Sequence, residues 1–197
     1  MLITAAVYGL AAVVTFVMLK ERAVPQPGVA GAGMTESLLR LARTWHEARR
    51  YQDFSWLLLC AVCYQAGIAV VIALAAVYAE QVLGFKQTQT MMLIFLVNIA
   101  AALGAFAFGY LEDRVGHRTA LAATLWGWVV MTLLAVVATT PAVFWVAAVL
   151  AGLCMGSSQS AGRAMAGLFA PAHRLAEFYG LWTFAVRLSA IVGPITY

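Results

Sequence analysis

Four polar side chains interrupt long apolar runs in this chain: Gln65, Asn98, Gln159 and Arg187. Amides both donate and accept hydrogen bonds, and a guanidinium adds five donors and a fixed charge. Amides in this setting suit a zwitterionic or polyol solute, with Arg187 available to a carboxylate. They also serve as glue between helices, so each has a structural reading beside the binding one. A second group is crowded instead of isolated. The stretch GYLEDRVGHR, Gly109 to Arg118, holds Glu112, Asp113, Arg114 and Arg118, four of the chain's 12 basic and 8 acidic residues, together with His117. Charges packed into so short a joint suit a latch that holds two helix ends in one conformation and releases them in another.

These residues need elements to position them, and composition says of what kind. Of 197 residues, 64% are hydrophobic and 10% charged, where a soluble domain carries roughly a quarter charged residues. A water-facing shell cannot be built from such a chain, so lipid is the solvent for most of its surface. A nucleic-acid partner is not expected, because no basic tail or long polar tract exists to meet one. Six stretches are apolar and long enough to cross a bilayer core, which takes about 20 residues: Leu2 to Leu19, Phe54 to Ala79, Thr90 to Tyr110, Thr119 to Ala138, Pro141 to Ala164, and Glu177 to the C-terminus. The fold class is therefore an all-α, polytopic helical membrane protein. Gln65, Asn98 and Arg187 follow the starts of their spans by eleven, eight and ten positions. At about 1.5 Å per residue that is close to the bilayer midplane. Gln159 lies at intermediate depth. An arginine at a helix centre costs roughly 2.5 to 3.5 kcal/mol on insertion scales and normally faces a bundle interior or a watery cavity. Arg187 is thus the strongest candidate for a solute path. Tyr64 and Trp182 read as packing, with pocket walls as the alternative.

Charge along the loops sets the orientation. Loop 20–53 holds Lys20, Arg22, Arg40, Arg43, Arg49 and Arg50; loop 80–89 holds Lys86; loop 111–118 holds Arg114 and Arg118; Thr139 and Thr140 carry none; the joint at 165–176 holds Arg174, with Arg163 just before it. Basic residues favour the cytoplasmic side, which puts loop 20–53 in the cytoplasm and both chain ends outside, as expected for a multi-pass protein of the cell membrane. The first run is followed, not preceded, by Lys20 and Arg22, the reverse of a signal peptide. Residues 22–33, rich in Pro and Gly, read as linker. The next segment places Leu38, Leu41, Ala42, Trp45 and Ala48 on one face of an amphipathic helix. That helix lies along the membrane surface or packs on the inner ends of the spans, and His46 in it reads as solvated. Cys60 and Cys63, one helical turn apart in an apolar run, and Cys154 read as small packed side chains; no disulfide, metal or cofactor is expected.

Gly109, Leu111, Asp113, Arg114, Gly116 and Arg118 are similar to the cytoplasmic loop signature of the major facilitator superfamily, G-x-L-x-D-R-x-G-R/K-R/K, with His117 replacing one base. Gly156, Gln159 and Arg163, then Pro171, then Glu177-Phe178-Tyr179-Gly180, then Gly193-Pro194, resemble one branch of it: the fungal vacuolar amino-acid effluxers and their bacterial relatives. Two departures stand out. Tyr64-Gln65-Ala66-Gly67 replaces the branch's Y-N-D-G, so the acid there has no counterpart. Ser160-Ala161-Gly162 replaces its A-x-S. The resemblance implies a major-facilitator-like bundle and secondary active transport of a small polar solute, with amino acid as the implied class. It aligns the chain with the sixth to eleventh of twelve spans: residues 1–19 a span ending the first half, 20–53 the central loop, and 54–197 five spans of the second half. A missing transporter half is then an expected partner, beside the solute and the lipid bilayer. Gly109, Asp113, Arg114, Gly116, Arg118, Arg163 and Glu177 fall to a gating latch, and Arg187, Gln65, Asn98 and Gln159 to the solute path.

Two other classes remain. An intramembrane hydrolase would need a base beside the serines of Gly156 to Ser160. His46, His117 and His173 all fall in loops, so an enzyme is not expected. A non-transporting membrane protein that binds partners or senses a ligand is separated from a transporter by flux in vesicles.

Overall fold

The chain's structure, a computed structural model, describes residues 2–18, 20 and 34–196. Every regular element among them is helical: α1 (Leu2–Met18), α2 (Met34–Ala48), α3 (Gln52–Gln81), α4 (Gln87–Val115), α5 (His117–Val136), α6 (Pro141–Phe169), a 3-10 turn (Ala172–Arg174) and α7 (Leu175–Thr196). The chain is thus the all-α polytopic bundle its composition calls for. Five helices, α3 to α6 and the stretch Ala172–Thr196, are long and apolar enough to cross a membrane. The first expected span is α1, an apolar helix of 17 residues, at the lower limit of about 17 for a crossing.

Two compact units divide the chain, Met1–Arg40 and Leu41–Tyr197. In the first, the described side chains of α1 are exposed along its length. The linker expected at 22–33 lies outside the described residues. In the second unit, the end of α2 docks through Thr44 and Ala48, which are buried, while Ala42 and Trp45 face outward. The Arg49 guanidinium lies 5.7 Å over the Trp45 ring. Ala48 is thus the end of the apolar stripe that docks, while Trp45 borders a recess lined by Leu58 of α3 and Leu181 of α7.

Several helices outrun the apolar stretches that announce them. α4 continues past Tyr110 to Val115, and α6 past Ala164 to Phe169. Hydropathy reports where lipid ends, whereas a helix ends where its hydrogen-bond ladder is broken. Leu111-Glu-Asp-Arg114 are ordinary helix residues in the interfacial zone. The break comes at Gly116, whose φ of 84° and ψ of 148° belong to a region essentially reserved for glycine. Its N–H still donates to Glu112 O at 2.9 Å, and α5 starts at the next residue. At the other end Ala170 is extended ahead of Pro171, the conformation a following proline favours. Gly116→Ala is expected to destabilise the bundle by about 1–3 kcal/mol, read as a lowered midpoint of thermal unfolding in detergent. Gly67→Ala, with nothing within 4 Å of the added methyl, should leave that midpoint unchanged or slightly raised.

The second unit is organised around α6. One apolar layer, at the end where α3 and α7 begin, joins Phe54, Leu57 and Ala61 of α3 to Ala161 and Met165 of α6 and to Phe178 and Leu181 of α7. Its rings interlock, with Phe54 and Phe178 centroids 4.6 Å apart. A middle layer gathers Ile68, Trp128, Met131 and Cys154. A third, at the opposite end, gathers Ala79, Phe85, Leu93 and Phe144. Along α4 and α6 the backbones come into direct contact. A methyl group added at Gly104 would collide with Leu153 O, one at Gly152 with Val97 O, and one at Gly156 with Ala101 O. Small residues four apart are the usual means of such approach in membranes, where packing, not water exclusion, holds helices together.

Between 17% and 39% of each spanning helix's apolar window is buried within the bundle. Most apolar surface therefore points outward, including Phe106 at 87% exposure and Trp126 at 70%. Contiguous apolar surface on this scale is foreign to water-soluble monomers and ordinary for helices bathed in lipid.

Candidate functional site

A groove of about 350 Å³ opens between α3, α6 and α7. Its polar lining is Gln65 from α3, Gln159 and Arg163 from α6, and Thr183 and Arg187 from α7, with the Trp182 ring beside them. Three of the four residues expected on a solute path, Gln65, Gln159 and Arg187, are thus brought together, and Arg163 joins them. The fourth, Asn98, lies in an adjoining recess of about 540 Å³ between α4 and α6, which shares Gln159 and Arg163 with the groove. Asn98 Nδ2 is bonded to Ile94 O at 2.8 Å, so its side-chain oxygen remains available.

The depths agree. Helices α3 and α7 start at the end of the bundle where α6 finishes, as the Phe54–Phe178 contact and the buried Met165 beside them establish. Counted from that end, Gln65 and Arg187 lie about 18–20 Å in, Gln159 about 15 Å and Arg163 about 9 Å, at 1.5 Å per residue. In a core about 30 Å thick the groove's polar floor is central, with Arg163 below it.

Among the described residues of this unit, no acid shares this depth. Asp53 and Glu80 sit at the two ends of α3, Glu112 and Asp113 in the last turn of α4, Glu177 in the first turn of α7, and Glu47 in the last turn of α2. Among the described residues, no carboxylate comes within ion-pairing distance of Arg163 or Arg187. The Tyr179 hydroxyl donates to the backbone oxygen of Arg163 at 3.2 Å, a bond that does not involve the guanidinium.

The residues expected in one latch are spread over several places. Gly116 forms the α4–α5 joint, whereas Gly109 lies inside α4 with open space around it. Arg114 folds back on its own helix, donating to Tyr110 Oη at 3.2 Å with its guanidinium 4.8 Å from that ring. Asp113 is exposed, and Arg118 lines a recess with Asp53 between α3 and α5. Arg163 belongs to the groove. Glu177 belongs to a cluster at the α6–α7 joint: Arg174 pairs with Glu47 of α2, Arg174 Nε stands 3.6 Å from Glu177 Oε2, and Thr44 Oγ1 donates to that oxygen at 3.3 Å. This cluster ties α2 to the start of α7. Arg174 and Glu47 are 35% and 41% exposed, so the pair is worth under about 1 kcal/mol. Arg174→Ala should leave the unfolding midpoint nearly unchanged while speeding proteolysis of α2 about twofold or more, measured as the rate of first cleavage.

Two residues escaped sequence reasoning. Glu112, not Asp113, is the acid that turns inward at the joint: it is 5% exposed, with Oε2 3.3 Å from His117 Nδ1 and Oε1 without a partner among the described residues. A signal for it existed. Leu93, Ala100 and Gly104 form the buried stripe of α4, and spacings of seven, four and eight carry that stripe on to Glu112. The other is Gly162. A side chain there would meet the Tyr64 hydroxyl and the Trp182 ring, each 2.8 Å from an added methyl carbon. The departure at Ser160-Ala161-Gly162 thus makes room for two aromatic groups behind the groove, and the buried Tyr64 hydroxyl has no hydrogen-bond partner among the described residues.

No curated protein and no solved structure matches the chain. One family profile does, described as "Vacuole effluxer Atg22 like", and it covers residues 1–197. Helices of crossing length, an apolar exterior, polar groups gathered at central depth and a full-length profile match all agree. The chain belongs to the vacuole effluxer Atg22-like family, a family of membrane transporters of the major facilitator type.

Proposed function

We propose that this chain forms part of a secondary active transporter that carries a small polar solute by alternating access, through the groove between α3, α6 and α7. The observation that carries this reading is the meeting of Gln65, Gln159 and Arg187 from three helices at the depth where a bilayer is most hostile to them, with Arg163 below them on the same groove. Polar groups that only glued helices would be consumed by one another. Here the amide of Gln159 and both guanidinium groups face open space instead. Backbone contacts hold the bundle on both sides of the groove, α4 to α6 at three glycines and α7 to α3 at Gly193, opposite Ala66 O, and α7 also carries Pro194 in its last turn. A proline there removes one ladder bond and lets the end of α7 bend as the groove opens and closes.

Amino acid is the solute class implied by the family, and efflux is the direction named in its description. The cell membrane is the proposed location, with residues 20–53 on the cytoplasmic side and both chain ends outside, on the strength of the alternating basic content of the loops. The arrangement of residues 1–19, 20–53 and 54–197 as a span, a central loop and a five-span bundle belongs to the same proposal, as does a partnering transporter half. Reconstitution into proteoliposomes tests it: preloaded unlabelled solute should drive counterflow of the labelled form, and its absence for every amino acid tried would defeat the amino-acid reading. Cysteine labelling in sealed cells tests orientation. Residues of 20–53 should resist impermeant reagents, and reaction there would reverse the topology.

A further inference from the structure

Taking the groove as the solute path, we propose that the solute it accepts carries net negative charge, an organic anion whose oxyanion group is held by Arg163 and Arg187. The charge census carries the argument. Two guanidinium groups line one groove, and the described carboxylates all lie in the first or last turns of their helices. Arg187 stands about 18 Å along α7 from its start, beyond the reach of any of them. A fixed positive charge in low-dielectric surroundings requires a counter-charge, and within this unit the groove is where one can enter.

The remaining lining decides between an anion and a zwitterion. An ammonium group in the groove would find the side-chain oxygens of Gln65 and Gln159 and the face of Trp182, but no carboxylate, and it would sit in the field of two cations. A carboxylate or phosphate would find two planar donor forks, which match oxyanion geometry, with amide N–H groups and the Thr183 hydroxyl to complete its shell. The groove and its adjoining recess lie within the size range of small-ligand sites, so a compact acid fits without displacing a helix. The two sources of this chemistry, carboxylate and phosphate, are separated by the test.

The experiment is equilibrium stabilisation of the purified full chain in detergent, at constant ionic strength in chloride, titrated separately with succinate, glutamate, inorganic phosphate, leucine and lysine. Succinate and glutamate, or phosphate, should raise the unfolding midpoint saturably, and which of them does so names the oxyanion. Leucine and lysine should raise it at least about 10-fold less effectively by concentration. Arg187→Gln should raise the half-saturating anion concentration by about 10-fold or more, the loss of a charge-assisted bond. Arg187→Lys should fall between, and Arg50→Gln, outside the groove, should match the parent. Equal stabilisation by leucine or lysine would overturn the proposal. So would none by any of the three anions, or anion stabilisation that survives in the Arg163→Gln, Arg187→Gln double variant, which marks a general salt effect. If a Gln variant fails to fold, the ligand series on the parent chain and the Lys variant still decides. Because binding at equilibrium requires no translocation, the outcome is independent of counterflow: flux of zwitterions alone defeats the charge assignment and leaves transport standing.

Discussion

Arg187→Ala is expected to lower transport efficiency by about 10- to 100-fold, with Arg187→Lys recovering part of it. The size follows from what is removed. A hydrogen bond to a charged partner is worth about 1.5–3 kcal/mol, and each 1.4 kcal/mol is a factor of ten. The guanidinium faces a groove and, among the described residues, has no carboxylate partner to leave unpaired, so truncation should not orphan a buried charge. It should also ease insertion of α7, since arginine at that depth is costly. The expected pattern is therefore unchanged or higher stability with reduced flux, which separates a solute contact from a structural one. Initial rates of counterflow across solute concentrations, with thermal unfolding of the same preparations, supply both readings. Parent-like flux with Arg187→Ala would remove this residue from the path.

Gly156→Ala carries the largest expected structural effect. The added methyl group would overlap Ala101 O on α4, and a backbone oxygen cannot swing aside as a side chain can. Two helices would have to separate along a contact that also includes Gly104 against Leu153 O and Gly152 against Val97 O. Overpacking of this kind costs about 1–3 kcal/mol, occasionally more, and here the strain falls on backbone along a whole helix pair. We expect a loss of about 3 kcal/mol, seen as a lower unfolding midpoint and a smaller monodisperse fraction on size exclusion. Gly180→Ala, in open space on α7, is the matched control and should be neutral. Because α6 carries Gln159 and Arg163 on its groove side, any Gly156→Ala protein that does fold should also show altered transport.

Much of this was legible before any coordinates. Runs of Leu, Val, Ala and Phe free of charge announce spans because lipid forbids an unpaired backbone. The depth of Gln65 and Arg187 then follows from counting residues, and their rarity in such runs marks them. Local rules also marked the joint between the spans at 111–118, with Gly109 and Gly116 as its glycines, and the structure breaks the chain at Gly116 while leaving Gly109 inside α4. Those rules are one-dimensional, and they work where the environment is set by distance along a helix.

Direction around the helix is another matter. Counting gave Gln159 and Arg163 a depth but could not tell that both face the groove, nor that Asn98 reaches it only through an adjoining recess. The latch residues looked like one device because they share a charge pattern. Packing distributes them among the α4–α5 joint, the groove and the α6–α7 joint, because which face of α4 or α7 turns inward depends on the opposing glycines. At the end of α4 it is Glu112 that is buried, beside His117 of α5, and not Asp113, one residue and about 100° away. Hydropathy told this chain which solvent to live in and how deep each residue sits. Steric fit between helices chose which polar groups would meet, since in a solvent as apolar as the side chains themselves only close packing distinguishes one helix face from another.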